Sequence, residues 1–184
     1  GPGPAYRPAD ISRALSHHGF IFLYGHIRRD KAIGISPEVI EALTDFATAL
    51  VCAEAVGAMK FACDTTLEYL RTRKQFGVPI GTFQALQHRM VDMFIAQEQA
   101  RSMACLACSR VDQASDPKER ARAVSAAKIK IADSARHISQ ESVQLHGGMG
   151  MSEELKVSHT FRRLTVLARR FGDADQHLAR FASL

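Results

Sequence analysis

Two segments carry residue types suited to holding a phosphorylated ligand. The first is Arg71-Thr72-Arg73-Lys74-Gln75-Phe76-Gly77-Val78-Pro79-Ile80, followed by Phe83-Gln84; the second is Gln144-Leu145-His146-Gly147-Gly148-Met149-Gly150-Met151. Each puts a helix end beside a turn. Basic side chains, exposed amides and a glutamine there can together hold a phosphate and a ribose. The glycines allow a ligand to approach the backbone with no Cβ in the way. Taken singly, both segments have plainer readings. A Gly-Gly turn after a helix is ordinarily a C-cap, and basic residues near a helix end simply complement its dipole. Phe76 on its own reads as a core aromatic.

The elements that must position these segments are helices. Ser36-Pro37-Glu38 is a start signal, with a capping hydroxyl, proline in the first turn and an acid at the positive end of the dipole. Apolar residues then recur at helical spacing from Val39 to Leu70, through Ile40, Leu43, Ala47, Leu50, Val51, Val56, Met59 and Phe61. Gly57 in this run suggests close approach of another helix. Gly77-Val78-Pro79 ends the first helix, and Gly81-Thr82 opens a second that reaches about Ala114. Ser115-Asp116-Pro117 breaks the chain and caps a third, alanine-rich helix to His146, which Gly147-Gly148 stops. Ser152-Glu153-Glu154 caps a fourth helix to about Arg170. Phe171-Gly172 interrupts, and Asp173 to Leu184 forms a tail helix. Long helices joined by short turns predict an all-α fold, an antiparallel four-helix bundle. Residues 36–184 form this domain. Residues 1–35 read as a leader or the remnant of an upstream domain, with a short helix at Asp10–Ser16, a strand at Phe20–Tyr24, and a scar or flexible leader at Gly1-Pro2-Gly3-Pro4.

Composition narrows the class. The chain has 184 residues, 46% hydrophobic and 23% charged, with a net charge of +5. These proportions suit a globular domain with a real core. No apolar run approaches the about 18 residues that span a bilayer, and no signal peptide is visible, so a cytoplasmic setting is expected. The basic residues are spread without the dense stripe of a nucleic-acid binder. Of the four cysteines, Cys105 and Cys108 form a single CxxC inside a helical pattern. Without a second pair this predicts buried core thiols and no zinc site. The histidines, including His146 and His177, show no metal-ligand spacing, and solvated or capping roles are expected of them.

The stretch YLRTRKQFGVPIGTFQALQHRMVDM, followed by QLHGGMGM, resembles the acyl-CoA dehydrogenase family over about residues 37–178. The two motifs occur in that family's order, on the same helix ends. With FGDAD near the end, the chain looks most like the small-subunit type of pimeloyl-CoA dehydrogenase. The resemblance implies an FAD-dependent enzyme that desaturates an acyl-CoA thioester in β-oxidation-like metabolism. It implies electron-transfer flavoprotein or a similar acceptor, and assembly as a homodimer or homotetramer with FAD bound between subunits. By the same resemblance, Arg73 contacts the FAD pyrophosphate, Phe76 lies near the adenine end, Gln84 lies close to the same cofactor, and Gln144 and Gly148 contact the FAD from the other subunit. Gly57 and the alanine-rich third helix are the implied oligomer contacts.

The pattern departs from the family at the base. The chemistry needs a carboxylate whose pKa burial can raise. Its usual slots here hold Phe171 or Gly172 after the fourth helix, and Ala47 on the first. Asp173 and Asp175 lie near one slot and Asp45 near the other, but aspartate is a methylene shorter than glutamate. Asp173 also reads as the N-cap of the tail helix. The catalytic residue therefore stays unassigned, with Asp173 as a candidate. Relatives built from two different chains can draw the base from one chain only, which makes a non-catalytic structural or assembly subunit of a heteromer the alternative. A related flavin oxygenase or nitroalkane oxidase of the same fold is a third. The domains that would precede this one in the family do not fit within 184 residues, so the chain is expected to be inactive alone.

Overall fold

The computed structural model describes residues 37–184, so the expected helix at Asp10–Ser16, the strand at Phe20–Tyr24 and the Ser36 cap lie outside the described residues. The elements run α1 (Pro37–Thr72), β1 (Lys74–Gln75), β2 (Val78–Pro79), a 3-10 turn (Ile80–Thr82), α2 (Gln84–Gln113), α3 (Pro117–His146), a second 3-10 turn (Gly147–Met151), α4 (Lys156–Arg169) and α5 (Ala174–Ser183). This is the expected all-α bundle with a short tail helix.

Side-chain pairs fix how the helices run. Asp45 and Thr66 of α1 meet Arg120 and Ser142 of α3, in the same order along both helices, so these two are parallel. Arg89 and Arg110 of α2 meet Glu141 and Glu119 of α3 in opposite order. Lys128 of α3 meets Leu167 of α4. The first three helices therefore alternate in direction, and α3 is central, touching α1, α2 and α4. Its alanines are the reason it can be: Ala127 and Ala135 are fully buried beside Val124, Ile131 and Ile138. They face Met59 and Cys52 of α1, Ala100 and Ala107 of α2, and Leu164 and Leu167 of α4, all in one core. Short side chains let the backbones approach and cost least in helix propensity.

Punctuation sets the boundaries, with corrections. Asp116 caps α3, its carboxylate accepting from Lys118 N at 2.9 Å with Pro117 in the first turn. The first helix ends at Thr72, before the expected Gly77 stop, because Phe76 (φ 54°) and Gly77 (φ 80°) form a two-residue hairpin turn. Positive φ at both central positions matches the twist of paired strands, and Lys74 pairs with Pro79 and Gln75 with Val78. The fourth helix starts at Lys156, not at Ser152-Glu153-Glu154: the 3-10 turn runs to Met151, and the Ser152 hydroxyl closes a local turn by accepting from Glu154 N. Gly57 sits on an exposed face with nothing within 4 Å of an added Cβ, so no described helix of this chain approaches it. Cys105 is exposed and Cys108 half-buried, because the α2 face toward α3 is the Met93, Ala100, Ala104, Ala107 stripe. Only Cys52 and Cys63 are core thiols.

Candidate functional site

The chemistry-bearing residues divide between the two ends of the bundle. At one end lie the C-termini of α1 and α3, the hairpin and the glycine turn. The Tyr69 ring packs on the His146 ring with centroids 4.4 Å apart, which ties the residues preceding the hairpin to those preceding the glycine turn. Thr66 Oγ1 and Ser142 Oγ share a buried hydrogen bond of 2.7 Å one turn deeper. Of the solvated or capping roles expected of it, His146 takes the second: it is buried at the C-terminus of α3. Its Nδ1 donates to Ser142 O at 2.7 Å, and burial pushes its pKa down, so the ring is a neutral spacer. Arg89 Nε donates to Glu141 Oε2 at 2.6 Å, clamping α2 to α3 at the same end.

On this frame the backbone is held while the side chains remain available. Arg73 N donates to Tyr69 O and Ile80 N to Arg73 O, both at 2.8 Å. The hairpin base is closed by Thr82 Oγ1 on Pro79 O and Gln87 Nε2 on Gly81 O. Gly81 sits so close to α1 that a Cβ would lie 2.9 Å from Leu70 O. Arg73, Gln84 and Gln144 are exposed, and their side chains have no hydrogen-bond partner among the described residues. Phe76 is 91% exposed at the hairpin tip, so the core-aromatic reading fails for it. Its φ of 54° is strained for a bulky residue, and its ring meets Phe83 edge-on at 6.1 Å. In the glycine turn, Gly148 faces open space, while at Gly150 a Cβ would lie 2.4 Å from Val143 O. Free donors, an open glycine backbone and a presented aromatic ring form a surface suited to a nucleotide.

The other end holds the expected base slots. Phe171 (φ 58°) and Gly172 (φ 105°) make the turn between α4 and α5. Together with Glu41, Thr44, Gln176, His177 and Arg180 they line a recess of about 230 Å³. Ala47 is half-buried on the next turn of α1. The nearby acids are engaged. Asp45 is fully buried and accepts from Arg120 Nε at 3.0 Å and Arg180 Nη1 at 2.7 Å. Asp173 caps α5: its carboxylate accepts from Gln176 N at 2.9 Å, while Gln176 Oε1 accepts from Asp173 N at 3.2 Å. Asp175 is exposed in the first turn of α5.

Sequence reasoning missed four polar residues at this end. Glu41 faces the recess and takes Arg180 Nη2 at 2.8 Å. His177 is buried rather than solvated, with Nε2 donating to Phe171 O, just past the end of α4, at 2.9 Å. Burial first, then the Lys128 and Arg180 charges, push its pKa down against the opposing hydrogen bond. Lys128 is buried with Nζ donating to Leu167 O at 2.5 Å, and burial pushes its pKa down to about 8. The signal available was weak: His177 and Arg180 share one face of an amphipathic tail helix.

Ser125, beside His177, and Gln144 are separated by 19 residues of α3, a rise of about 29 Å at ~1.5 Å per residue. The structure thus gathers Arg73, Phe76, Gln84, Gln144 and Gly148 at one end and leaves Phe171, Gly172, Ala47 and Asp173 at the other.

This arrangement, a helical bundle with a hairpin and a glycine turn at one end, has known counterparts. The chain belongs to the acyl-CoA dehydrogenase family: residues 38–182 match the model of the acyl-CoA dehydrogenase C-terminal domain. Among curated relatives, it is 37% identical over 141 residues to acyl-CoA dehydrogenase IpdE2 of Mycobacterium tuberculosis, covering 77% of this chain and 42% of that protein. It is 32% identical over 140 residues to IpdE2 of Mycolicibacterium smegmatis, covering 76% and 42%. The chain thus spans less than half the length of these relatives. Among solved structures it resembles the ChsE4-ChsE5 complex from Mycobacterium tuberculosis (TM-score 0.75, 29% identity, 80% of this chain and 40% of that one). It also resembles PigA with FAD and proline (TM-score 0.70, 29% identity, 76% and 36%). No helix among the described residues is long and apolar enough to cross a membrane.

Proposed function

We propose that this chain is the C-terminal domain of an FAD-dependent acyl-CoA dehydrogenase, and that its hairpin and glycine turn hold the nucleotide part of FAD for a neighbouring subunit. The observation that carries this reading is the separation of about 29 Å along α3 between the two ends. A cofactor whose phosphates rest on Arg73 cannot also reach the α4–α5 turn of the same chain, so each end serves a different reaction centre.

The residues present fit FAD at the hairpin end. Arg73 supplies a charge-assisted donor to the pyrophosphate. Phe76, already presented by its turn, covers the adenine end. Gln84 and Gln144 offer amides, and Gly148 offers backbone without a Cβ. When bound, FAD supplies the hydride acceptor for α,β-desaturation of an acyl-CoA thioester. The chain's own residues bind and orient it, and Tyr69, His146 and Thr66 keep their supporting backbones in place. Supporting the cofactor reading, PigA is described in complex with FAD.

A second reading concerns the base. At the α4–α5 end, Asp45 is buried between two guanidiniums, Glu41 is paired with Arg180, and Asp173 is spent on its cap. Carboxylates whose oxygens already accept from guanidiniums or cap a helix are not free to meet a substrate proton. This favours assembly with a second, base-bearing chain, the present one being the non-catalytic partner. The ChsE4-ChsE5 complex, which pairs two chains, is consistent with such a plan.

The test is a flavin-binding titration of the chain, read by flavin fluorescence and by visible absorption after gel filtration. Arg73→Ala removes one charge-assisted hydrogen bond worth about 1.5–3 kcal/mol, so affinity should fall at least tenfold. Equal binding by wild type and variant would sink the Arg73 assignment. Failure of the wild type to bind at millimolar FAD would sink the proposal for the isolated chain.

A further inference from the structure

We infer that α5 is an acid-released latch: a helix docked on the bundle through polar contacts centred on His177, which lets go when that imidazole takes up a proton. The inference stands on the packing of α5 and does not depend on the dehydrogenase reading.

Helix α5 has ten residues, and His177 is the one that is buried. Its large apolar Leu178 points outward, 55% exposed. A helix this short is marginal when free of the bundle, so what docks it also keeps it folded. Its polar attachments come from His177 and Arg180. His177 Nε2 donates to Phe171 O at 2.9 Å, and Nδ1 faces Ser125 Oγ at 3.4 Å as an acceptor. Arg180 reaches Asp45 and Ser125 through Nη1 and Glu41 through Nη2. Arg122 lies over the Phe181 ring at 5.2 Å.

The surroundings of His177 disfavour a second proton. The cations that act on it are Lys128 of α3 and Arg180 of α5 itself, while Arg120 of α3 reaches the neighbouring Asp45 and Arg122 lies over Phe181. Against these stand Asp45 and Glu41 of α1, and Asp173 and Asp175 at the start of α5. Both Asp45 oxygens already serve Arg120 and Arg180, and Glu41 serves Arg180. Asp173 is held in its capping box. A proton on Nδ1 would replace the lone pair facing Ser125 with a second donor. Ser125 Oγ already lies 3.3 Å from a guanidinium that donates to it. Burial and the nearby cations hold the docked imidazole below its ordinary value of 6.5.

The sign follows from linkage. The undocked helix binds the proton better than the docked one, so acid favours undocking, beginning as pH falls through 6.5. Release would open the recess between α1 and α5 and free the strained Phe171–Gly172 turn, whose carbonyl His177 now holds.

The test is hydrogen–deuterium exchange of the full chain at pH 7.5 and 5.5, corrected for the intrinsic pH dependence of exchange. With an undocked value of 6.5, protection of residues 174–183 should fall over this range, by at most about tenfold, while residues 127–138 of α3 hold theirs. His177→Gln keeps a donor for Phe171 O and an acceptor for Ser125 but has no proton to gain. Its α5 protection should not change between the two pH values. Three results would overturn the latch: α5 protection unmoved in the wild type, α5 falling together with α3, or an equal fall in His177→Gln. Should that variant not fold, NMR titration of the wild-type ring decides. A value at or above 6.5 refutes the latch, and a lower one supports it.

Discussion

Replacing Asp45 with asparagine tests whether the charge at the α4–α5 end is structural. The carboxylate is fully buried and bridges α3 and α5 through Arg120 and Arg180, whose side chains keep only 13% and 26% exposure. Asparagine preserves the shape but removes the charge, leaving two guanidiniums side by side with Glu41 as the remaining counter-ion. Breaking a buried pair from one side costs about 3–5 kcal/mol. The arginines retain some water, which places this case at the low end, about 3 kcal/mol. For a domain of this size that corresponds to a Tm lower by about 6–12 °C. Urea unfolding followed at 222 nm should show the midpoint falling with an unchanged slope. Adding Arg180→Met to the variant should recover part of the loss, because one uncompensated charge goes with it. A loss under about 1 kcal/mol would mean that solvent screens the network. Asp45 would then be free enough to count again as a base candidate.

Phe76→Asn should stabilise the hairpin by about 1 kcal/mol, since asparagine tolerates positive φ, while weakening flavin binding. Paired thermal melts and flavin titrations would show the two effects with opposite sign. Gly150→Ala should cost more than 1 kcal/mol in urea unfolding, because its Cβ would lie 2.4 Å from Val143 O, a backbone atom. Lys128→Met should abolish a gain of stability at alkaline pH. With its folded value near 8 and its ordinary value at 10.5, wild-type Lys128 contributes stability that appears as pH rises through this window and is lost as pH falls through about 8. Above pH 9 the buried Cys52 and Cys63 thiols, raised to about 11 and about 12, work the other way. The difference in urea midpoint between variant and wild type, measured from pH 7.5 to 10, is therefore the readout.

Much of the helical frame was legible in the chain because its punctuation is local. Asp116-Pro117 starts α3 by its own hydrogen bond, Gly147 ends it at positive φ, and Asp173 caps α5 with its neighbour Gln176. The two motifs were equally legible, since each is a short run of residues on one helix end. The hairpin was less so. Phe76 at positive φ is a choice that propensity argues against, made affordable only by the paired strands on either side.

By itself the sequence determined where helices begin and end, and which residues could face a nucleotide, because caps, breaks and runs act within a few residues. Tertiary structure alone decided which side chains pay for burial and which stay free. Asp45 meets partners 75 and 135 residues away, His177 and Lys128 are buried by helices far along the chain, and Cys105 is left outside by the facing of α2. It also decided that the two families of site residues sit at opposite ends of α3. Each depends on how helices pack across long separations, and no local pattern encodes that.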